Sequence, residues 1–105
     1  MPYGLSEKTL GQLKQIFSRY GQINEVILYG SRAKGNYSEG SDIDLALKGP
    51  GIDFSVVQQI NIDIDNLDLP YLFDIAIFNT LKNDDLIDYI QRVGITIYSS
   101  AANNL

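Results

Sequence analysis

Val26-Ile27-Leu28-Tyr29 runs into Gly30-Ser31-Arg32-Ala33-Lys34-Gly35, and a polar stretch then leads to Ser41-Asp42-Ile43-Asp44-Leu45. The first four residues form a short, uninterrupted apolar run, which fits a buried strand. Gly30 and Ser31 end it, and Arg32-Ala33-Lys34 suits the start of a short helix. Gly35 to Ser41 is a loop by composition. From Asp42 to Leu47 polar and apolar side chains alternate, the period of a strand with two unlike faces.

Upstream, Ser6 can cap a helix with Glu7 in its first turn. Leu10, Leu13, Phe17 and Tyr20 recur at helical spacing, and Gly21 suits its C-terminal cap. Downstream, Lys48-Gly49-Pro50-Gly51 ends the second strand. Val57, Ile60, Ile64 and Leu67 mark a helix over 54–67 that Pro70 stops. Tyr71 to Phe78 reads as a third strand. Asn83 caps a last helix whose buried stripe is Leu86, Ile90 and Val93, closed by Gly94. Ile95 to Tyr98 reads as a final edge strand, and the tail after it is expected to fray. The resulting order, α-β-(α)-β-α-β-α-β, predicts an α/β (α+β) fold: one mixed sheet of about four strands covered by helices, in a single domain over 1–105.

Composition bounds the chemistry. The 105 residues suffice for one core without staples, and none is available, since Cys and His are both absent. Zinc centres, thiol nucleophiles, catalytic triads and imidazole acid–base chemistry are thereby excluded. Thirteen acidic against eight basic residues give a net charge of −5, which disfavours direct nucleic-acid binding. The start of the chain carries no cationic and apolar leader pattern, and no apolar run approaches a membrane span. A cytoplasmic protein is the expectation. Asn36-Tyr37-Ser38 matches a glycosylation sequon, read as chance.

Against that background three carboxylates are out of place. Asp42, Asp44 and Ala46 fall on one face of the second strand, with Ile43, Leu45 and Leu47 on the other. In the third strand Asp74, Ala76 and Phe78 separate from Ile75 and Ile77 in the same way. If the strands pair, the aspartates share a patch beside small alanines. Aspartate is a poor strand former. Two such charges ~5 Å apart at an effective dielectric of ~20 repel by about 3 kcal/mol. A divalent cation is the simplest counter-charge, and an all-oxygen donor set favours Mg2+ or Mn2+. The plainer explanation for Asp-x-Asp alone is a solvated strand face.

Gly30-Ser31, between strand and helix, can offer backbone amides and a hydroxyl to phosphate oxygens, with Arg32 and Lys34 adding positive charge. An ordinary turn explains the dipeptide equally well. Gly30 and Gly35 have the P-loop gap, but Asn36-Tyr37 stands where Lys-Ser/Thr is required, and no dinucleotide-binding glycine pattern is present.

The combination is more specific than its parts. Gly30-Ser31, ten residues, Asp42-Ile43-Asp44 and a later Asp74 together resemble the polymerase-beta-type nucleotidyltransferase superfamily. The stretch from Gly30 to Leu45 is similar to its small branch, the minimal nucleotidyltransferases (MNT). This resemblance spans essentially the whole chain and implies the nucleotidyltransferase fold. It further implies that Asp42, Asp44 and Asp74 are catalytic and hold two Mg2+ ions, with Mn2+ able to substitute. Gly30 and Ser31 would bind the phosphates of an NTP, with Arg32 or Lys34 neutralising the leaving pyrophosphate or simply solvated. ATP is the expected substrate and AMP the group transferred. The acceptor would be a hydroxyl, foremost a tyrosine of a helical HEPN-type toxin, which would make this chain an antitoxin and a member of a hetero-oligomer. One alternative is a binding module that neutralises its partner by complex formation alone, with a vestigial nucleotide site. Another is transfer to a small molecule or an RNA end.

Remaining features take plainer readings. Asp63, Asp65 and Asp68 read as a solvated helix face, Asp84, Asp85 and Asp88 as partners of their helix, and most of the seven tyrosines as packing. Tyr37 and Phe78 are weaker candidates for contact with nucleotide.

Overall fold

The computed structural model describes residues 2–100. After a 3-10 turn at Pro2–Gly4 the order is α1 (Glu7–Phe17), β1 (Glu25–Tyr29), α2 (Ser31–Lys34), β2 (Ile43–Lys48), α3 (Phe54–Asp65), β3 (Phe73–Ile77), a 3-10 turn (Phe78–Thr80), α4 (Asp84–Val93) and β4 (Ile95–Ser99). This is the expected succession. The tail, 101–105, lies outside the described residues.

The four strands form one mixed sheet in the order β3-β2-β1-β4. β1 pairs antiparallel with both β2 and β4, and β2 pairs parallel with β3. The β2–α3–β3 crossover supplies the parallel pair, as such pairs require. Ile43, Leu45 and Leu47 of β2 join Val26 and Leu28 of β1 beneath α1 and α3, in a core that includes Leu13, Ile16, Phe17, Ile60 and Ile64. On the opposite face Ile27, Tyr29 and Ala46 pack with Ile90 of α4, along with Phe78, Leu86, Tyr89 and Val93. That second cluster is small and leaves the start of β2 and of β3 uncovered by α4.

The caps follow local chemistry. The Ser6 hydroxyl accepts from the Thr9 amide, an Asp53 carboxylate oxygen from the Val56 amide, and Asn83 Oδ1 from the Asp85 and Leu86 amides. Hydrogen bonding from the Ser55 hydroxyl, then from the Val56 amide, holds the Asp53 carboxyl below its usual range.

Three boundaries differ from expectation. α1 stops at Phe17, short of Tyr20, because Arg19 and Tyr20 donate to carbonyls three residues back and tighten the chain into turns. Tyr20 then donates its hydroxyl to Asp63 of α3, which also meets Arg19 at 3.8 Å. Asp63 thus ties α3 to the turn that follows α1 and does not belong to a solvated face. α3 ends at Asp65, where Leu67 and Asp68 likewise bond three residues back. β3 is confined to 73–77, because Thr80 bonds the Ile77 carbonyl and Leu81 that of Phe78, turning the chain at Phe78.

Candidate functional site

The motif residues converge where β1 ends and β2 and β3 begin. β1 delivers Tyr29 opposite Asp44 in the antiparallel ladder, and the parallel ladder sets Asp44 beside Asp74. Asp44 and Asp74 therefore share a face, as the alternation predicts. Asp42 lies two residues before Asp44, ahead of the first ladder residue, and is exposed like Asp74. Asp44 is half-buried.

Gly30 makes the turn between β1 and α2. Its backbone, at φ 78 and ψ −159, occupies a region that essentially only glycine enters without strain. The space its missing side chain would take is filled by the Asp44 carboxylate, against whose Oδ2 a Cβ would collide. The Gly-Ser turn and the second carboxylate of the Asp42–Asp44 pair are thus in contact, with no room for any residue larger than glycine. Ser31 opens α2, so its amide belongs to the turn that has no intrahelical acceptors.

The electrostatics are those of an uncompensated anionic patch. Burial raises the proton affinity of Asp44, and the charges of Asp74 and Asp42 raise it further. Tyr29, 8% exposed, has its hydroxyl pushed up to about 12, first by burial, then by Asp74, Asp44 and Tyr89. The phenol of Tyr29 therefore stands in the field of the carboxylates, a placement that reading the tyrosines as packing does not reveal. The available signal was Tyr29 itself, the last residue of an apolar strand and the residue beside Gly30.

Hard oxygen donors, mutual repulsion and no lysine or arginine paired with these three aspartates among the described residues fit a magnesium-like ion. No three acidic side chains among the described residues yet close around a common point. A bound ion would draw Asp42, Asp44 and Asp74 together against their repulsion.

The two cations of the motif separate. Lys34 is exposed. Arg32 is 2% exposed and points away from solvent. Its Nε and Nη2 donate to the Ser41 carbonyl at 3.1 and 2.9 Å, Nη2 also to that of Glu39 at 3.2 Å, and Nη1 to that of Tyr3 at 2.9 Å. Its guanidinium carbon lies 4.9 Å from the Tyr71 ring centre and 5.3 Å from that of Tyr37. The sequence leaves solvation open for Arg32, and the structure corrects this: the side chain is buried and spends its donors on main-chain carbonyls. Tyr37 likewise turns to Arg32. Beside them lies a cavity of about 610 Å3 lined by Gly4, Arg32, Tyr37, Glu39, Pro70 and Tyr71.

Comparison with known proteins adds three findings. The family model described as polymerase beta, nucleotidyltransferase matches residues 11–103. A Methanocaldococcus jannaschii protein, provisionally named a protein adenylyltransferase, is 49% identical over 41 residues. That alignment covers 38% of this chain and 40% of the relative, so the match spans well under two thirds of the relative's length. Among solved structures, a chain of a toxin–antitoxin crystal structure with AMP-PNP superposes with a TM-score of 0.71 at 15% identity, covering 90% of this chain and 76% of that one. A chain from a complex of tri-AMPylated Shewanella oneidensis HEPN toxin with MNT antitoxin gives 0.63 at 13%, covering 90% and 73%. At such identities the likeness is one of fold.

Proposed function

Because the chain belongs to the polymerase-beta nucleotidyltransferase family, we propose that it is a Mg2+-dependent nucleotidyltransferase that transfers AMP from ATP to a tyrosine of a helical HEPN-type toxin, and so acts as an antitoxin. The observation that carries this reading is the contact of the Gly30 turn with the Asp44 carboxylate, itself in register with Asp74. The turn and the two carboxylates thus lie side by side, which supports reading the turn as a phosphate site and the carboxylates as cation ligands.

In this reading the turn at Gly30 and Ser31 receives the phosphate tail, using backbone amides and the Ser31 hydroxyl. Asp42, Asp44 and Asp74 hold the cations, which supply charge neutralisation at the triphosphate and at the attacking oxygen. The acceptor hydroxyl attacks the α-phosphorus, the bond to the bridging oxygen breaks, and pyrophosphate leaves. Asp74, the most open of the carboxylates in the ladders, takes the hydroxyl proton. Lys34, exposed one turn along α2, is the cation free to meet the departing pyrophosphate. Absence of histidine is no handicap where positioning and charge neutralisation supply most of the rate.

The whole chain serves as one minimal catalytic domain, and the partner supplies the acceptor. Toxin–antitoxin complexes among the solved structures of this fold support that division. No helix among the described residues is long and apolar enough to cross a membrane, which is compatible with a cytoplasmic site of action.

The test incubates the chain and a HEPN-type partner with labelled ATP and Mg2+, in wild type and in Asp44→Asn. Label on a partner tyrosine with wild type alone is the expected result. Equal label in both removes the mechanism. Undiminished neutralisation of the partner by Asp44→Asn favours the binding module in its place.

A further inference from the structure

Arg32 presents a physical problem. A guanidinium 2% exposed takes part in no ion pair among the described residues, although burying an unpaired charge costs several kcal/mol. Its compensation is four hydrogen bonds to three main-chain carbonyls and two aromatic faces. The identity of those groups is informative. The Ser41 carbonyl belongs to the peptide that joins Ser41 to Asp42, and it receives both Nε and Nη2. Glu39 lies in the same approach to β2. Tyr71 leads into β3, where the Leu72 carbonyl accepts from the Ile43 amide at 2.9 Å and Asp74 follows two residues later. Arg32 itself sits one residue beyond Ser31.

One planar group therefore joins the three chain segments that carry the Gly-Ser turn, the Asp42–Asp44 pair and Asp74. We propose that Arg32 is a positioning residue for the acidic site: its guanidinium fixes the Ser41–Asp42 peptide and the lead-in to β3, and thereby sets how the three carboxylates meet a cation. The bonds need donors fanned out in one plane, with two aromatic ring centres 4.9 and 5.3 Å from the guanidinium carbon. An ammonium keeps the charge but offers neither the fork nor the flat stacking surface. Partners behind metal ligands typically govern affinity by about 10- to 100-fold when removed, and Arg32 occupies that position through the main chain.

The inference rests on the cation-binding reading of the aspartates, and its test separates the two. Mn2+ affinity is measured by calorimetry, and amide hydrogen exchange is mapped residue by residue, on the full-length wild type, Arg32→Lys and Tyr71→Leu. The expected result for Arg32→Lys is Mn2+ binding weaker by about tenfold or more. Faster exchange should accompany it, confined to 36–44 and 71–74, while α1 and β1 keep their protection. Tyr71→Leu, which removes one stacking face and leaves the guanidinium, should show the same pattern more weakly, and it decides the matter if Arg32→Lys does not fold. Wild-type affinity with wild-type exchange in a folded variant overturns the proposal. So does exchange accelerated evenly across the sheet, which marks Arg32 as general support for the fold. If wild type binds no Mn2+, the cation reading fails by itself, and the exchange pattern alone decides whether Arg32 holds the two segments.

Discussion

The two faces of β2 obey opposite rules. On one, Ile43, Leu45 and Leu47 are fully buried beneath α1 and α3. On the other, Ala46 is covered by α4 while Asp44, two residues away, sits half-buried among like charges. One strand thus carries a face optimised for burial and a face that works against it. The lesson is where the stability comes from. The closed face holds the sheet firmly enough for the open face to keep repelling carboxylates close together, poised for a counter-charge.

The strongest way to break the contrast is Leu45→Ala. Truncating a fully buried leucine should cost about 2–5 kcal/mol, seen as a large fall in the denaturation midpoint with loss of every function. Next is Gly30→Ala, at the joint between the faces. A Cβ there meets the Asp44 carboxylate and an unfavourable backbone region. We expect a loss of about 1–3 kcal/mol and, in a protein still folded by circular dichroism, no transfer of label from ATP.

Asp44→Asn should go the other way. The folded-state pKa of Asp44 lies above its unfolded value, so its favourable contribution is complete only below the unfolded pKa and is lost as pH rises through the folded one. Without divalent ions the variant should be more stable at pH 7 by about 1 kcal/mol or less. That advantage should shrink to nothing near about pH 4, close to the ordinary carboxylate value. Added Mg2+ should raise the melting temperature of wild type and leave the variant unmoved. Asn83→Ala is the change with the least consequence for the site. It removes the cap of α4, which accepts from two amides, and should cost about 1 kcal/mol while sparing the α1–α3 face in hydrogen exchange.

Much of this contrast is visible in the sequence. Alternation through 42–47 and 73–77 separates the aspartates from the aliphatics, and Gly30 at the end of an apolar strand marks the turn. The pairing of β2 with β3 stays a condition in the sequence, and the parallel ladder supplies it. What composition hides is Arg32. Arginine is ordinarily a surface residue, and its partners here are main-chain carbonyls, which no residue letter reports. The end of α1 was hidden for a similar reason: Tyr20 keeps the helical spacing, yet its hydroxyl is claimed by Asp63, 43 residues away. Long-range polar contacts of this kind leave no local periodicity to read.

The central claim, that the open face is a cation–nucleotide site, is tested most directly by titrating the protein with ATP in excess Mg2+ by calorimetry, beside an Asp42→Ala/Asp44→Ala variant shown to be folded. Saturable binding by wild type and none by the variant is the predicted result. Equal binding by both would contradict the claim, because it would place the nucleotide somewhere other than on these carboxylates.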